Sequence, residues 1–494
     1  MRLANHALAA LPAGVKRPRY DRARVTSGII HLGLGAFTRA HQAVYTDDVL
    51  AAGDLGWGIL GASLRSRQIR DALVPQDGLY TVAIRDGDGE RLRVIGSLCG
   101  LIVAPEDPQA LIAAMAAPST RIVSLTVTEK GYCHDPATGE LNERHPDIVH
   151  DLANPGLARS APGLIIAALA RRRAEGSPPF SVLSCDNLPA NGQTARRVLL
   201  RFASLVNRDL GSYLSDALAC PSTMVDRIVP ATTDQDRARI STALGVEDAW
   251  PVVTEPFSQW VIEDDFALGR PDWGACGAEL VADVSPYETM KLRLLNGAHS
   301  SIAYLGCLAG FETVAEAMAE PAMAAFVERL MFGEIIPVLK PPAGADPQVY
   351  ARSLIARFGN AALHHRTAQI AMDGSQKLPQ RLLGTARDRL ALGLELPCVA
   401  LGIAAWMRHA TGKDERGREV EVCDPLAAEM RRRADAAGMR AETLAPALLR
   451  IEAIFGRDLP TNPRFVAAVT QALKSLLAQG ALATLVGMRI GPRP

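Results

Sequence analysis

Gly28-Ile29-Ile30-His31-Leu32-Gly33-Leu34-Gly35-Ala36-Phe37-Thr38-Arg39-Ala40-His41 decides the fold. The short apolar run predicts a buried strand, the two spaced glycines a tight turn, and the residues that follow a helix. Strand, glycine turn and helix make the first half of a βαβ dinucleotide unit. Gly33 permits the turn, Gly35 lets the main chain approach a pyrophosphate, and the helix start at Ala36 and Phe37 attracts its negative charge. Thr38 stands where a third glycine is usual, so the motif alone is weak and its context carries the reading. Trp57-Gly58-Ile59-Leu60-Gly61-Ala62 follows at the distance of a second strand.

The end of that second strand normally selects the cofactor: an acid binds the ribose hydroxyls of NAD, and an arginine accommodates the extra phosphate of NADP. Here the chain reads Ala62-Ser63-Leu64-Arg65-Ser66-Arg67, without an acid. Arg65 is a candidate cofactor contact, and these residues leave NAD and NADP both open. Tyr80 to Ile84 and Arg91 to Ile95 predict a hairpin around Asp86-Gly87-Asp88-Gly89. A helix over 108–117 precedes Arg121-Ile122-Val123-Ser124-Leu125-Thr126-Val127, which reads as a buried parallel strand. Ligands of open α/β sheets bind beyond the carboxyl ends of such strands, which places Glu129 and Lys130 to meet one; a turn of solvated charges is the alternative.

A helix over 161–173 is broken by Gly176-Ser177-Pro178-Pro179, and Phe180 to Cys185 then forms a strand that delivers Asp186-Asn187 to the same edge. The Asn187 amide can hold a substrate oxygen or form an Asx turn ahead of Pro189. Ser222 to Val229 resembles one more strand, with Asp226 and Arg227 either as site residues or as a structural ion pair.

Beyond Ser285-Pro286 the β-branched runs thin out and Ala/Leu-rich helical segments dominate, so a dinucleotide-binding domain is expected over 1–285 and a mainly helical one over 286–494. Early in the second lies Lys291-Leu292-Arg293-Leu294-Leu295-Asn296-Gly297-Ala298-His299. At about 100° per residue, Lys291 and His299 fall within roughly 80° of each other and Asn296 between roughly 60° and 140° from them, so one broad helix face presents all three. A lysine among apolar neighbours loses hydration when charged, which lowers its pKa and suits it to accept a proton. Asn296 supplies a neutral donor, and His299 can orient a hydroxyl or relay a proton. The structural alternative is a snorkelling lysine and a core histidine. Met372 to Arg381 reads as a polar loop between helices.

Composition narrows the function classes. With 494 residues, 48% hydrophobic and 21% charged, the chain is globular and too long for one simple core. Lys plus Arg and Asp plus Glu number 53 each, which argues against nucleic acid or an anionic membrane as a partner. Arg171-Arg172-Arg173 and Arg431-Arg432-Arg433 are expected on solvated helix faces. Eight scattered cysteines suit free thiols in a reducing cytoplasm. The sequence has neither a signal-peptide core in its first 20 residues nor an uninterrupted apolar run of roughly 18, so a soluble, cytoplasmic protein is expected.

Gly33-x-Gly35-x-Phe37-x-x-Ala40-His41-Gln42, Val123-Ser124-Leu125-Thr126-Val127-Thr128-Glu129, Ser184-Cys185-Asp186-Asn187, Met224-Val225-Asp226-Arg227-Ile228 and Lys291-x-x-x-x-Asn296-x-x-His299 together resemble the polyol-specific long-chain dehydrogenases. These are the mannitol dehydrogenase family with its sugar-acid relatives, and the blocks span nearly the whole chain in order. The resemblance implies a Rossmann-type α/β N-terminal domain, a mostly α-helical C-terminal domain, NAD, no metal, and Lys291 as general acid/base; Arg65 and Arg67 keep NADP open. Thr128-Glu129-Lys130-Gly131-Tyr132 and Asp373-Gly374-Ser375-Gln376-Lys377-Leu378-Pro379-Gln380-Arg381 look like the fructuronate reductase, or D-mannonate oxidoreductase, branch.

That branch implies hydride transfer between a nicotinamide and D-fructuronate, giving D-mannonate. Asn187 and Asn296 would hold the carbonyl oxygen, Lys291 would deliver its proton, and His299 would bind a neighbouring hydroxyl or orient Lys291. Asp226 and Glu129 are further candidate substrate contacts. A sugar acid brings a carboxylate whose burial needs cations or several donors, for which Lys130 and Lys377 are the candidates. Close alternatives are a mannitol or arabinitol 2-dehydrogenase and a tagaturonate reductase. From a different class, a non-catalytic dinucleotide-binding sensor has no need of Lys291, Asn296, His299 and Asn187 together.

Overall fold

The computed structural model describes residues 1–135 and 138–488. The chain divides into two compact units, Met1–Ser285 and a second that begins at Pro286. Among the described residues the strands all lie in the first: β1 (Ser27–Leu32), β2 (Gly58–Ser63), β3 (Tyr80–Asp86), β4 (Gly89–Ile95), β5 (Leu98–Val103), β6 (Ile122–Leu125), β7 (Ser181–Ser184), β8 (Thr223–Asp226), β9 (Val252–Thr254), β10 (Gln259–Glu263) and β11 (Glu279–Val281).

Five strands form a parallel sheet in the order β5-β2-β1-β6-β7. The chain moves outward from β1 through β2 to β5, then returns to build the other side from β6. This is a Rossmann-type sheet, and its reversal point lies between β1 and β6. Alternation along each strand supplies two cores. Ile30, Leu32, Val123, Leu125 and Val182 pack in one that includes residues of the helices Pro108–Ala116, Ala161–Ala174 and Asn191–Val206. Ile29, Ile122 and Leu183 pack in another with Tyr80, Val82, Trp260 and Trp273.

β6 and β7 are shorter than their apolar runs suggested. The main-chain bonding continues one residue further, from Thr126 N–H to Leu32 and from Cys185 N–H to Leu125, before each chain turns outward. β3 and β4 form the expected hairpin, and β3 also pairs in parallel with β9. β8 belongs to a separate sheet of order β11-β10-β8, antiparallel to β10 with Asp226 opposite Gln259.

The Arg171-Arg172-Arg173 run departs from the expectation of a solvated face. Arg171 does reach solvent-side Glu175, but Arg172 is only 1% exposed. Its guanidinium donates to the carbonyls of Thr120, Ala117 and Pro178 at 2.8, 3.0 and 2.7 Å. Those carbonyls precede β6 and β7, so one buried cation ties the entry of both strands. Arg431 and Arg433 do form surface pairs, with Asp435 and Glu429.

The second unit is helical, and its core is centred on two almost wholly buried helices, Ala298–Ala309 and Pro397–Ala410. Helix Pro463–Gly487 is long and apolar enough by length and composition to cross a bilayer. Phe465, Val469, Leu473 and Leu476 instead bury one stripe of it in that core, and Gly480 breaks its helical geometry. The polar stretch 372–381 corrects a sequence expectation. It is no loop: Gly374–Leu378 is helical and runs into a π-helical segment, Pro379–Leu383. Its polar side chains mimic a loop, but Leu378, Leu382 and Leu383 insert into the core.

Arg172→Met removes the bonds from a buried guanidinium to the Thr120, Ala117 and Pro178 carbonyls and is expected to cost about 2–4 kcal/mol in urea unfolding. Arg171→Met should stay within about 0.5 kcal/mol. Equal losses would deny the buried clamp.

Candidate active site

Gly33 has φ +90°, and a Cβ added there would lie 2.2 Å from the Thr126 carbonyl oxygen. Only glycine fits where the turn after β1 crosses the end of β6. Gly35 is the reverse case: it is exposed, and an added Cβ would meet nothing closer than the Gly33 carbonyl oxygen at 3.8 Å. The second glycine thus leaves the main chain bare on its outer side, the space a pyrophosphate requires. Ala36 and Phe37 follow half-buried, with Phe37 stacked on His41 at 5.0 Å.

Thr38, in place of a third glycine, fastens the turn from beneath. Its Oγ1 lies 2.7 Å from His31 Nε2 and 2.6 Å from Thr126 Oγ1, while His31 Nδ1 meets Ser124 Oγ at 2.8 Å. Burial pushes the His31 pKa down to about 3. Arg39, which sequence reasoning passed over, is buried and donates to the Gly35 and Trp250 carbonyls. The helix that begins at Ala36 ends at Ala40 and breaks at His41 before Gln42–Ala51. Anion attraction at the turn therefore rests on bare N–H groups more than on a long helix dipole.

A cavity of about 650 Å³ opens at the carboxyl ends of β2, β5 and β6, with Arg65, Ala104, Pro105 and Lys130 in its wall. Open glycine main chain on one side and a cavity at the end of β2 on the other suit the two halves of a dinucleotide. Lys130, a candidate for the substrate, is exposed and shares this cavity with Arg65.

Asp186 is the site residue that the sequence reading missed. Its carboxylate accepts the N–H of Val127 at 3.0 Å, the N–H of Thr128 at 2.9 Å and the Tyr132 hydroxyl at 2.8 Å. Thr128 is thereby held at φ +63°, a region a β-branched residue rarely enters, and the turn bearing Glu129 and Lys130 is aimed. Burial raises the Asp186 pKa to about 6, opposed by those same hydrogen bonds. The available signal was an acid directly after the strand-forming run Phe180 to Cys185.

Asn187 is exposed on the turn that leaves β7. Asn191 Nδ2 bridges the Asp186 and Thr223 carbonyls at 2.9 Å each, so the start of β8 is tied to the end of β7. Asp226, 2% exposed, closes β8. Arg227 donates to the carbonyls of Ala40 and Glu255, a structural task.

In the second unit, α-helix Ser285–Lys291 gives way to π-helix Leu292–Gly297 and resumes as α-helix Ala298–Ala309. The uniform α-helical step assumed from sequence fails at the site itself. A π turn closes i→i+5 bonds, which brings Lys291 and Asn296 nearer one face than the roughly 140° of an α-helix allows. Lys291, Asn296 and His299 are all buried, at 4%, 7% and 6% exposure. The π segment Pro379–Leu383 crosses close by: a Cβ on Gly297 would lie 2.7 Å from the Arg381 carbonyl oxygen, and Arg381 donates to Ser300 Oγ at 2.9 Å.

Among the described residues, Asn296 Oδ1 and His299 Nε2 are buried without a partner, as are His365 Nδ1, Gln376 Oε1 and Gln380 Oε1. Buried polar atoms are almost always bonded, so these atoms keep bonding capacity for a polar ligand. His299 stacks on Phe358 at 5.0 Å and meets His365 edge-on at 4.8 Å. Burial, then the charges of His365, Arg381, Arg357 and Lys377, pulls its pKa well below the imidazole range. It stands neutral at physiological pH, one nitrogen a donor and the other an acceptor. Lys377 is half-buried and donates to the Ile370 and Met372 carbonyls.

Within the first unit, Gly33, Gly35, Ala36, Phe37, Arg65, Glu129, Lys130 and Asn187 collect at the carboxyl ends of β1, β2, β6 and β7. Within the second, Lys291, Asn296 and His299 are each buried on the one helical stretch 285–309.

Comparison with known proteins bears on this arrangement. The profile described as the Mannitol dehydrogenase Rossmann domain matches residues 27–275, and that described as the Mannitol dehydrogenase C-terminal domain matches 283–477. The chain is 47% identical over 471 residues to D-mannonate oxidoreductase of Escherichia coli (strain K12), covering 94% of this chain and 96% of that protein. It is 42% identical over 478 residues to a mannitol 2-dehydrogenase of Pyrenophora tritici-repentis, covering 95% of this chain and 83% of that one. Among solved structures, the Pseudomonas fluorescens mannitol 2-dehydrogenase ternary complex with NAD and D-mannitol is 41% identical, with a TM-score of 0.93 and 99% coverage of each chain.

His31 predicts a pH response. Its folded pKa, about 3, lies below the unfolded value near 6.5, so the unfolded chain takes up the proton first as pH falls. Its contribution to stability is intact above pH 6.5 and is lost progressively between there and pH 3. The stability lost between pH 7 and pH 5, read by urea unfolding, should shrink by about 2 kcal/mol in His31→Gln. An unchanged loss would show that His31 protonates within the fold.

Proposed function

The chain belongs to the mannitol dehydrogenase family, and from that premise we propose that it reversibly reduces D-fructuronate to D-mannonate with NAD(H). It is an NAD-dependent oxidoreductase acting on a CH–OH group, and the sugar acid is the finer assignment. The supporting observation is the wall of unpartnered polar atoms around His299, set in the field of Arg381, Arg357 and Lys377. Hydroxyls satisfy such atoms, and cations offset the burial of a carboxylate.

Bound NAD(H) supplies or accepts the hydride. Negative charge develops on the keto oxygen as the substrate is reduced, and the amide of Asn296, on the same helical segment as Lys291, is assigned to hold it. Lys291 gives that oxygen its proton; in the oxidative direction, neutral Lys291 takes the hydroxyl proton. At 4% exposure its amine is shielded from bulk water, which favours exchange with one substrate atom over exchange with solvent. Neutral His299 bonds a neighbouring hydroxyl through Nε2 and fixes the orientation of the sugar. Lys377, whose charge acts on His299, is assigned to the carboxylate. A neutral polyol is the second reading, favoured by the match to the mannitol 2-dehydrogenase structure.

NADH oxidation with D-fructuronate, D-tagaturonate and D-fructose at equal concentrations tests the assignment. A kcat/KM about ten- to hundredfold higher for fructuronate than for fructose is expected, the worth of one charge-assisted contact. The opposite ranking makes the protein a polyol dehydrogenase. Lys291→Ala should lower kcat by roughly 10²–10⁴-fold with little change in the Kd for NADH, followed by fluorescence. Near-normal turnover would remove Lys291 from the mechanism.

A further inference from the structure

β2 ends at Ser63, whose hydroxyl donates to the Ser66 carbonyl and accepts the Ser66 N–H at 3.2 Å. This closed turn presents Arg65, which is exposed and makes no hydrogen bond or ion pair among the described residues. Arg159, also in the wall of the 650 Å³ cavity, engages Asp151 through its main-chain N–H while its guanidinium has no partner among the described residues. Lys130 is the third cation in that wall. The acids there are Glu106, held by Arg70, and Asp147, at the start of helix Pro146–Ala153 and 3.9 Å from His145 Nδ1.

The chemistry of this wall differs from that of a ribose-diol site. A ribose diol is best held by a carboxylate at the end of β2, and residues 62–67 hold none; a guanidinium fork instead matches two phosphate oxygens. In this fold the adenosine ribose lies beside that strand end. We propose that the cavity recognises a phosphate on the 2′-oxygen of an adenine dinucleotide, so that the chain binds NADP(H) as well as NAD(H). Arg65 is the main contact, with Arg159 and Lys130 supporting it. The inference relies on the oxidoreductase reading for the placing of the cofactor, and on nothing in the substrate assignment.

Calorimetric binding of 2′,5′-ADP and 5′-AMP tests it without turnover. Wild-type protein should bind 2′,5′-ADP roughly ten- to hundredfold more tightly than 5′-AMP. Arg65→Asp, a change at an exposed side chain, should abolish that preference and affect 5′-AMP far less. The ratio of NADPH to NADH dissociation constants, from nicotinamide fluorescence, should rise by a similar factor in the variant. Wild-type protein that binds 5′-AMP but rejects 2′,5′-ADP overturns the phosphate site and leaves the dehydrogenase reading standing. Failure of NADH itself to bind overturns both. A preference for 2′,5′-ADP that survives both Arg65→Asp and Arg159→Asp refutes the assignment to these residues.

Discussion

A side chain cannot exist at Gly33, because the Thr126 carbonyl occupies its place. Most of the first unit's site depends on that close approach of the turn after β1 to the end of β6. The crossing brings Thr126 within reach of Thr38 and His31, and Arg39 then pins the bare main chain at Gly35. One strand further, Asp186 clasps the Val127 and Thr128 amides, so the ends of β1, β6 and β7 are held as a single edge. A cofactor laid across that edge meets main chain whose shape is set before it arrives, which reduces the ordering cost of binding.

The second unit uses the same device. Gly297 lets one π segment approach the main chain of another, and Arg381 fastens the crossing through Ser300. π turns are rare and recur at functional sites, since the extra residue in the turn redirects side chains. Here it lies between Lys291 and His299. The unpartnered buried atoms of Asn296 and His299 are costly for the free protein, at about 1–3 kcal/mol each. A substrate that bonds them recovers that energy, so a polar wall of this kind couples affinity to the number and placing of hydroxyl groups.

The arginines of the first unit include two kinds. Arg172, Arg39 and Arg227 donate mainly to main-chain carbonyls and hold strand ends or turns together. Arg65 and Arg159 have no such partners among the described residues and face a cavity. Composition counts both kinds alike, although the first is architecture and the second is available to a ligand.

The sequence by itself determined what is local. Short apolar runs placed β1, β2, β6 and β7, glycine spacing and turn residues placed the turn at Gly33 and the hairpin at Gly87-Asp88, and the Lys291, Asn296 and His299 residue types offered a candidate proton-transfer set. Tertiary structure alone decided the π-helical step at 292–297, the burial of Arg172, the helical state of 374–383, and the role of Thr38 beneath the glycine turn. Asp186 was visible as a residue but not as the clasp of the Thr128 turn. The physical reason is common to all of these. Each depends on which distant main chain or apolar surface comes within contact or hydrogen-bonding distance, and local propensity carries no information about a partner that is remote along the chain.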